Sequence, residues 1–307
     1  MKNLGELRSA GLWGYELEGE YPDDWNHLKI GAQGDYLAFV NCNYLGLEHD
    51  PIVKQYAKDY TDAYGVAISI CPQQVRTPPA LEHLRLCQEV FDHPHCVIDA
   101  RVTLAHMAVL PCLVEAARAR TILVDQFAHY TLQAAAAMTR LPIRSLRHSD
   151  MAQLEETLSE LPAGEPVLYL ADGIYSMTGD RAPVAEILAL MERFPALHVY
   201  FDDAHGGGWA GDKGVGFVWP LVKGHPRVTV CQGLGKGLGV MGACTLLPDA
   251  MLEAMMKSSG PQIFTHALSP PMIGASIAVL RHVCLDPSRM SAIQAEFADK
   301  IDFLRDG

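Results

Sequence analysis

Short apolar runs alternate with amphipathic stretches over most of this chain. Cys96 to Ile98, Thr121 to Val124, Ile143 to Leu146, Pro166 to Ala171, His198 to Phe201, Val228 to Val230 and Ala243 to Leu247 read as strands. Helical spacing marks Pro51 to Tyr64, with Asp50 as N-cap before the proline, and Pro78 to Phe91. It recurs over Thr103 to Arg118, interrupted by Pro111, and over Tyr130 to Thr139. Further helices are expected over Met151 to Leu161, opened by Ser149 or Asp150, then Val184 to Phe194, Pro248 to Lys257 and Pro271 to Val283. Several strands are continuous apolar runs, which suits burial on both faces. The pattern predicts an α/β fold, a mostly parallel sheet with helices on both faces. Residues 1–35 are polar, with a turn at Tyr21-Pro22-Asp23-Asp24, and Tyr36 to Val40 reads as a short strand.

Ligands of an open α/β sheet bind outside the carboxyl ends of its strands. Polar residues fall at four such ends: His129, Asp172 with Ser176, Asp202 with His205, and Lys236. Lys236 lies in the glycine-rich turn Gly233-Leu234-Gly235-Lys236-Gly237-Leu238-Gly239. A lysine whose surroundings favour the neutral amine attacks carbonyl compounds. A carboxylate at the mouth of a neighbouring strand, such as Asp202, can hold a protonated pyridine nitrogen. Those are the two parts that pyridoxal phosphate (PLP) chemistry needs. Each motif alone has an ordinary reading, a solvated lysine or a capping loop; together and in this order they point to a site.

Composition narrows the alternatives. With 307 residues, 49% hydrophobic and 20% charged, the chain can bury a large core. A formal net charge of −12 without a dense Lys/Arg run argues against nucleic acid. No apolar signal core opens the chain and no window reaches membrane-spanning length, so a cytoplasmic protein without a membrane segment is expected. The eight cysteines stand singly, and the 13 histidines lack the spacing of a metal site, so no metal is expected.

Five segments, in order, resemble the α-oxoamine synthases, a family of fold-type-I PLP-dependent enzymes. They are Asn43-Tyr44-Leu45-Gly46-Leu47, Asp172 to Asp180, Asp202-Asp203-Ala204-His205, Gly235 to Gly239, and Phe264 to Pro271. The resemblance spans roughly residues 36–283. It implies that Lys236 is the Schiff-base lysine and that Asp202 pairs with the pyridine nitrogen. His205 and Ser176 would bond the phenolic oxygen, and His129 would stack on the ring. The turn Ala100 to His106 would hold the phosphate, with Val102 and Thr103 beside it and Arg101 adding charge. Thr265 would reach the phosphate of a neighbouring subunit, which implies a homodimer with shared sites. The implied catalytic set is Lys236, His129, Asp202 and His205.

The resemblance also implies a function. It is that of an acyltransferase condensing an amino acid with an acyl thioester, acyl-CoA or acyl carrier protein, to an α-amino ketone. An aminotransferase, racemase, decarboxylase or non-catalytic partner of the same fold is the alternative. Four segments depart from the family pattern: His106 replaces an asparagine, Gly233 a threonine, Cys42 another asparagine, and residues 67–76 a glycine-rich stretch. The expected organisation is an N-terminal segment over 1–50, a PLP-binding large domain over 51–285, and a C-terminal segment beginning at 286. The family's small C-terminal domain is expected to be missing or truncated.

Overall fold

A computed structural model describes residues 27–30, 34–37 and 41–306. It divides the chain into two units, Met1–Cys42 and Asn43–Gly307. In the first, β1 (His27–Ile30) pairs antiparallel with β2 (Gly34–Leu37), Leu28 facing Tyr36. The strand expected over Tyr36 to Val40 thus begins earlier, and residues 38–40 lie outside the described residues.

The second unit holds seven strands: β3 (Cys96–Asp99), β4 (Thr121–Asp125), β5 (Ile143–Leu146), β6 (Val167–Asp172), β7 (Leu197–Asp202), β8 (Val228–Gly233) and β9 (Ala243–Leu246). They form one sheet in the order β3-β9-β8-β7-β6-β4-β5. Strands β8, β7, β6, β4 and β5 run parallel, while β9 runs antiparallel to both its neighbours. This is the mostly parallel sheet that the apolar runs predict.

Burial on both faces explains those runs. Along β4, Ile122 and Val124 join one core with the helices Val102–Ala117, Tyr130–Met138 and Ala250–Lys257. Leu123 joins the other, with Pro51–Tyr64, Pro78–Phe91, Val184–Arg193 and Pro270–Val279. Each such side chain contributes about 1.5–3 kcal/mol by leaving water. A period-two strand with both faces apolar reads as an unbroken hydrophobic run.

Helix ends follow their capping residues. Asp50 accepts from Ile52 N at 2.8 Å, as expected. Of the two candidates before Met151, Asp150 is the cap, accepting from Gln153 N at 2.8 Å. Pro111 does not interrupt its helix, which runs unbroken over Val102–Ala117. Pro111 lies on the exposed side, while buried Ala108, Val109, Leu110, Cys112 and Leu113 anchor both halves to the sheet. The helix expected over Pro271 to Val283 is Pro270–Val279 followed by a wider turn, Leu280–Cys284. Among the described residues no helix is long and apolar enough to cross a membrane.

Candidate active site

The parallel strands bring their carboxyl ends to one edge of the sheet. Asp172 ends β6 and Asp202 ends β7, directly opposite each other in register. His129 caps the helix after β4, and Lys236 follows β8 in the turn leading to β9. Lys236, Asp202, His205, His129, Asp172, Val102 and Thr103 line one cavity of about 410 Å³. Seven residues from five segments, scattered over more than 130 positions, thus meet in one crevice.

Asp202 is almost fully buried, and its surroundings hold it ionised. His106 Nε2 lies 3.0 Å from Asp202 Oδ2, and His106 Nδ1 lies 2.7 Å from the Tyr200 hydroxyl. One tautomer satisfies both bonds: Tyr200 donates to Nδ1, and Nε2–H donates to the carboxylate. Ala204 N donates to Asp202 Oδ1 at 3.1 Å. Burial alone would push the carboxyl up, but His106, the Lys236 charge and the Ala204 amide outweigh it and hold it below the usual range. Asp172 moves the other way, raised first by burial and then by the Asp202 charge. Two facing carboxyls therefore divide the roles, one ionised and one neutral near pH 7.

Both cleft histidines are kept neutral. His205 is pushed down to about 4, by burial first and by the Lys236 charge second. Its Nδ1 lies 2.6 Å from the Tyr44 hydroxyl. With Tyr44 donating, Nε2 carries the proton and is a donor. His129 is lowered, chiefly by burial, with Asp202 opposing and Lys236 assisting. Its Nδ1 accepts from Thr131 N at 3.3 Å, and its own backbone N–H donates to Asp172 Oδ1 at 3.1 Å. The ring is held at Nδ1, and its backbone is held at Asp172.

The fourth wall is the start of the helix Val102–Ala117. No side chain caps it, and Arg101, Val102 and Thr103 at that end line the cavity. Such an end attracts an anion. Facing it, the Lys236 turn packs backbone against backbone: a Cβ at Gly237 would sit 2.1 Å from the Gly207 carbonyl oxygen. Only glycine allows that approach.

The aminotransferase class I and II family model matches residues 103–307. The 8-amino-7-oxononanoate synthase of Nitrosomonas eutropha is 31% identical over 285 residues, covering 91% of this chain and 71% of the relative. That of Methylobacillus flagellatus is 30% identical over 280 residues, covering 88% and 69%. Among solved structures, a serine palmitoyltransferase from S. paucimobilis with bound PLP–myriocin superposes with a TM-score of 0.79 at 20% identity. That alignment covers 90% of this chain and 69% of that one. The chain belongs to the aminotransferase class I and II family. Within it, the chain stands with the α-oxoamine synthases.

The cleft of this α-oxoamine synthase fits the cofactor its motifs imply. A buried, ionised carboxylate suits a ring N–H, a flat neutral imidazole suits a ring face, and the uncapped helix end suits a phosphate. Two of the expected residues lie elsewhere. Ser176 borders an adjoining cavity of about 960 Å³, which His205 shares. Thr265 lines a third cavity with Gln73, Asp99 and Gln262, away from Lys236 in the same chain. The altered segment over 67–76 contributes Pro72, Gln73 and Arg76 to that cavity. Sequence reasoning gave no role to His106, Tyr200 or Tyr44. The substitution at 106 was visible, but its partners are 94 and 96 positions away.

Proposed function

We propose that this chain is a PLP-dependent acyltransferase that condenses an amino acid with an acyl thioester to an α-amino ketone. One observation carries the assignment: Lys236 shares a cavity with a carboxylate that His106 keeps ionised. Bound PLP supplies an electrophilic carbonyl carbon and a protonated ring that accepts the electron pair released at the α-carbon. Lys236 Nζ would hold that carbon and, as a free amine, would take up the α-proton of the substrate. Asp202, kept as a carboxylate, would hold the ring N–H. His205 Nε2–H and the Ser176 hydroxyl would donate to the phenolic oxygen, and His129 would cover one ring face. The helix end at Val102 and Thr103 would hold the phosphate. Fixed donors in a half-buried cleft stabilise developing charge without reorganising.

The adjoining cavity, walled by Tyr44, Trp209 and Phe297 with Arg181 and Arg305, offers room for the thioester beside the ring. Two copies complete the site, Thr265 reaching the phosphate held by the other subunit. Exposed Val66, Ile70, Val75 and Phe264 support this, since the Gln73–Gln262 bond ties their two segments together. The cytoplasmic setting expected from the sequence is part of the same proposal.

The test is thiol release from acyl-CoA or acyl carrier protein thioesters with a panel of amino acids. Release that needs both an amino acid and PLP supports the reading. Transamination of a keto acid without thiol release with any donor would replace it by an aminotransferase.

A further inference from the structure

A histidine outside the cleft ties together the turn that ends at His129 in the cleft and the hairpin that borders the adjoining cavity. His148 lies on the turn between β5 and the helix Met151–Glu160. Its Nδ1 lies 3.0 Å from Asp125 Oδ1, at the end of β4, and its Nε2 lies 2.7 Å from Asp180 Oδ2. The ring stacks on Phe127 at 4.5 Å and meets the edge of buried Tyr175 at 4.4 Å. Asp125, itself fully buried, also accepts from Phe127 N and Ser149 N, both at 2.8 Å.

The two tied segments carry the candidate cofactor contacts. Asp125 and Phe127 begin the turn that ends at His129. Asp180 closes the hairpin Gly173–Ala182, whose tip holds Ser176; the hairpin is pinned by Tyr175 N to Asp180 O at 3.0 Å and Ala182 N to Gly173 O at 2.9 Å. We propose that His148 is a positioning residue which, by bridging Asp125 and Asp180, sets Ser176 and His129 at the spacing the cofactor requires. The inference rests on the assignment of Ser176 and His129 to PLP.

The bridge needs a proton. Both ring nitrogens face carboxylates, and a neutral imidazole has only one N–H, so one contact would set acceptor against acceptor. Burial opposes the charged ring, but the bonds to Asp125 and Asp180 outweigh it and raise its pKa. Asp180 is lowered: burial opposes, and Thr178 and His148 prevail. The other titratable or charged groups nearby are the Arg147–Asp150 pair on the same turn, Asp172, which feels Asp125 and is neutral near pH 7, and Arg181, which lies over Phe217. Because the folded pKa is raised, the bridge is complete below the ordinary histidine value. It is lost as pH rises through the raised one.

The test combines hydrogen exchange of residues 173–180 in the full chain without PLP with the Kd for PLP, both from pH 6 to 9. Wild type should lose protection and PLP affinity together as pH rises, once intrinsic exchange rates are removed. His148→Gln should show low protection at every pH, no such pH dependence, and PLP affinity weaker by about tenfold at pH 6. Asp180→Ala removes the outer contact together with the Thr178 bond, leaves the Asp125 bond in place, and should show the same loss in smaller measure; it decides the matter if His148→Gln does not fold. Wild-type protection in either folded variant, or lost protection with unchanged PLP affinity, overturns the proposal. Failure of wild type to form a PLP adduct at Lys236 would instead sink the functional assignment, and the exchange data without PLP would still decide whether the bridge exists.

Discussion

His106 offers the sharpest test of how the site is built. Replacing it with leucine keeps the bulk but removes the donor to Asp202 and the partner of Tyr200. His106 and Tyr200 are 0% exposed and Asp202 is 5% exposed, so bulk water does not replace what is lost. Removing the neutral donor from a buried hydrogen bond to a charged group costs about 1.5–3 kcal/mol. Asp202 keeps the Ala204 amide and the nearby Lys236 charge, which places the cost at about 2 kcal/mol. The Tyr200 hydroxyl, left with the Cys231 thiol beside it, adds about 1 kcal/mol.

The sign with pH follows from the lowered Asp202. Its contribution to wild-type stability is present above the ordinary carboxylate value and fades only as pH falls through the lowered one. Without His106, burial dominates and the carboxyl rises, so the loss sets in at higher pH. Urea unfolding of wild type and His106→Leu between pH 4 and 8, followed by circular dichroism, reads both effects. His106→Gln, which retains one N–H, should recover part of the difference. A His106→Leu protein within about 1 kcal/mol of wild type at pH 7, with the same pH profile, would refute the argument.

Other predictions concern the cleft and its partner. Lys236→Ala should abolish the borohydride-reduced PLP adduct on the peptide spanning residue 236, together with thiol release; an adduct persisting on another lysine would displace Lys236 from its role. Native His205 resists protonation down to about 4, whereas the unfolded chain takes that proton near 6.5. Stability should therefore decline as pH falls between those values, and His205→Gln should flatten that part of the profile measured by thermal melts. Phe264 is 86% exposed, and Phe264→Glu should shift the sedimentation of the protein from the proposed dimer toward monomer; an unchanged coefficient would move the interface elsewhere.

The sheet was legible because burial on both faces leaves an unmistakable trace, the continuous apolar runs of β4, β6, β7 and β8. The cleft was legible for a related reason, since parallel strands put Asp172, Asp202 and Lys236 at the same edge. What escaped were bonds between distant side chains. His106 stood out as a substitution, yet only the fold shows that Tyr200 and Asp202 lie on either side of it. His148 drew no reading beside Ser149 and Asp150, and nothing in its neighbours points to Asp180, 32 positions on. The short helices Trp219–Val222 and Gly260–Phe264 also left no trace, being too brief for a helical period to register.

The altered phosphate turn has a packing explanation. The family often carries a threonine where this chain has Gly233. A Cβ there would lie 3.2 Å from Val102 Cγ2 and 2.7 Å from Ala204 Cβ. A side chain at 233 would therefore press on both Ala204 and Val102, and Gly233 and Val102 share one space between the end of β8 and the facing helix start. A double-mutant cycle tests this. Gly233→Thr alone should cost about 1–3 kcal/mol by overpacking. Combined with Val102→Gly it should cost less than the sum of the single changes by about 1 kcal/mol. Additivity within about 0.3 kcal/mol would mean that the two positions changed independently, and that the turn at 100–106 answers to something other than the strand it faces.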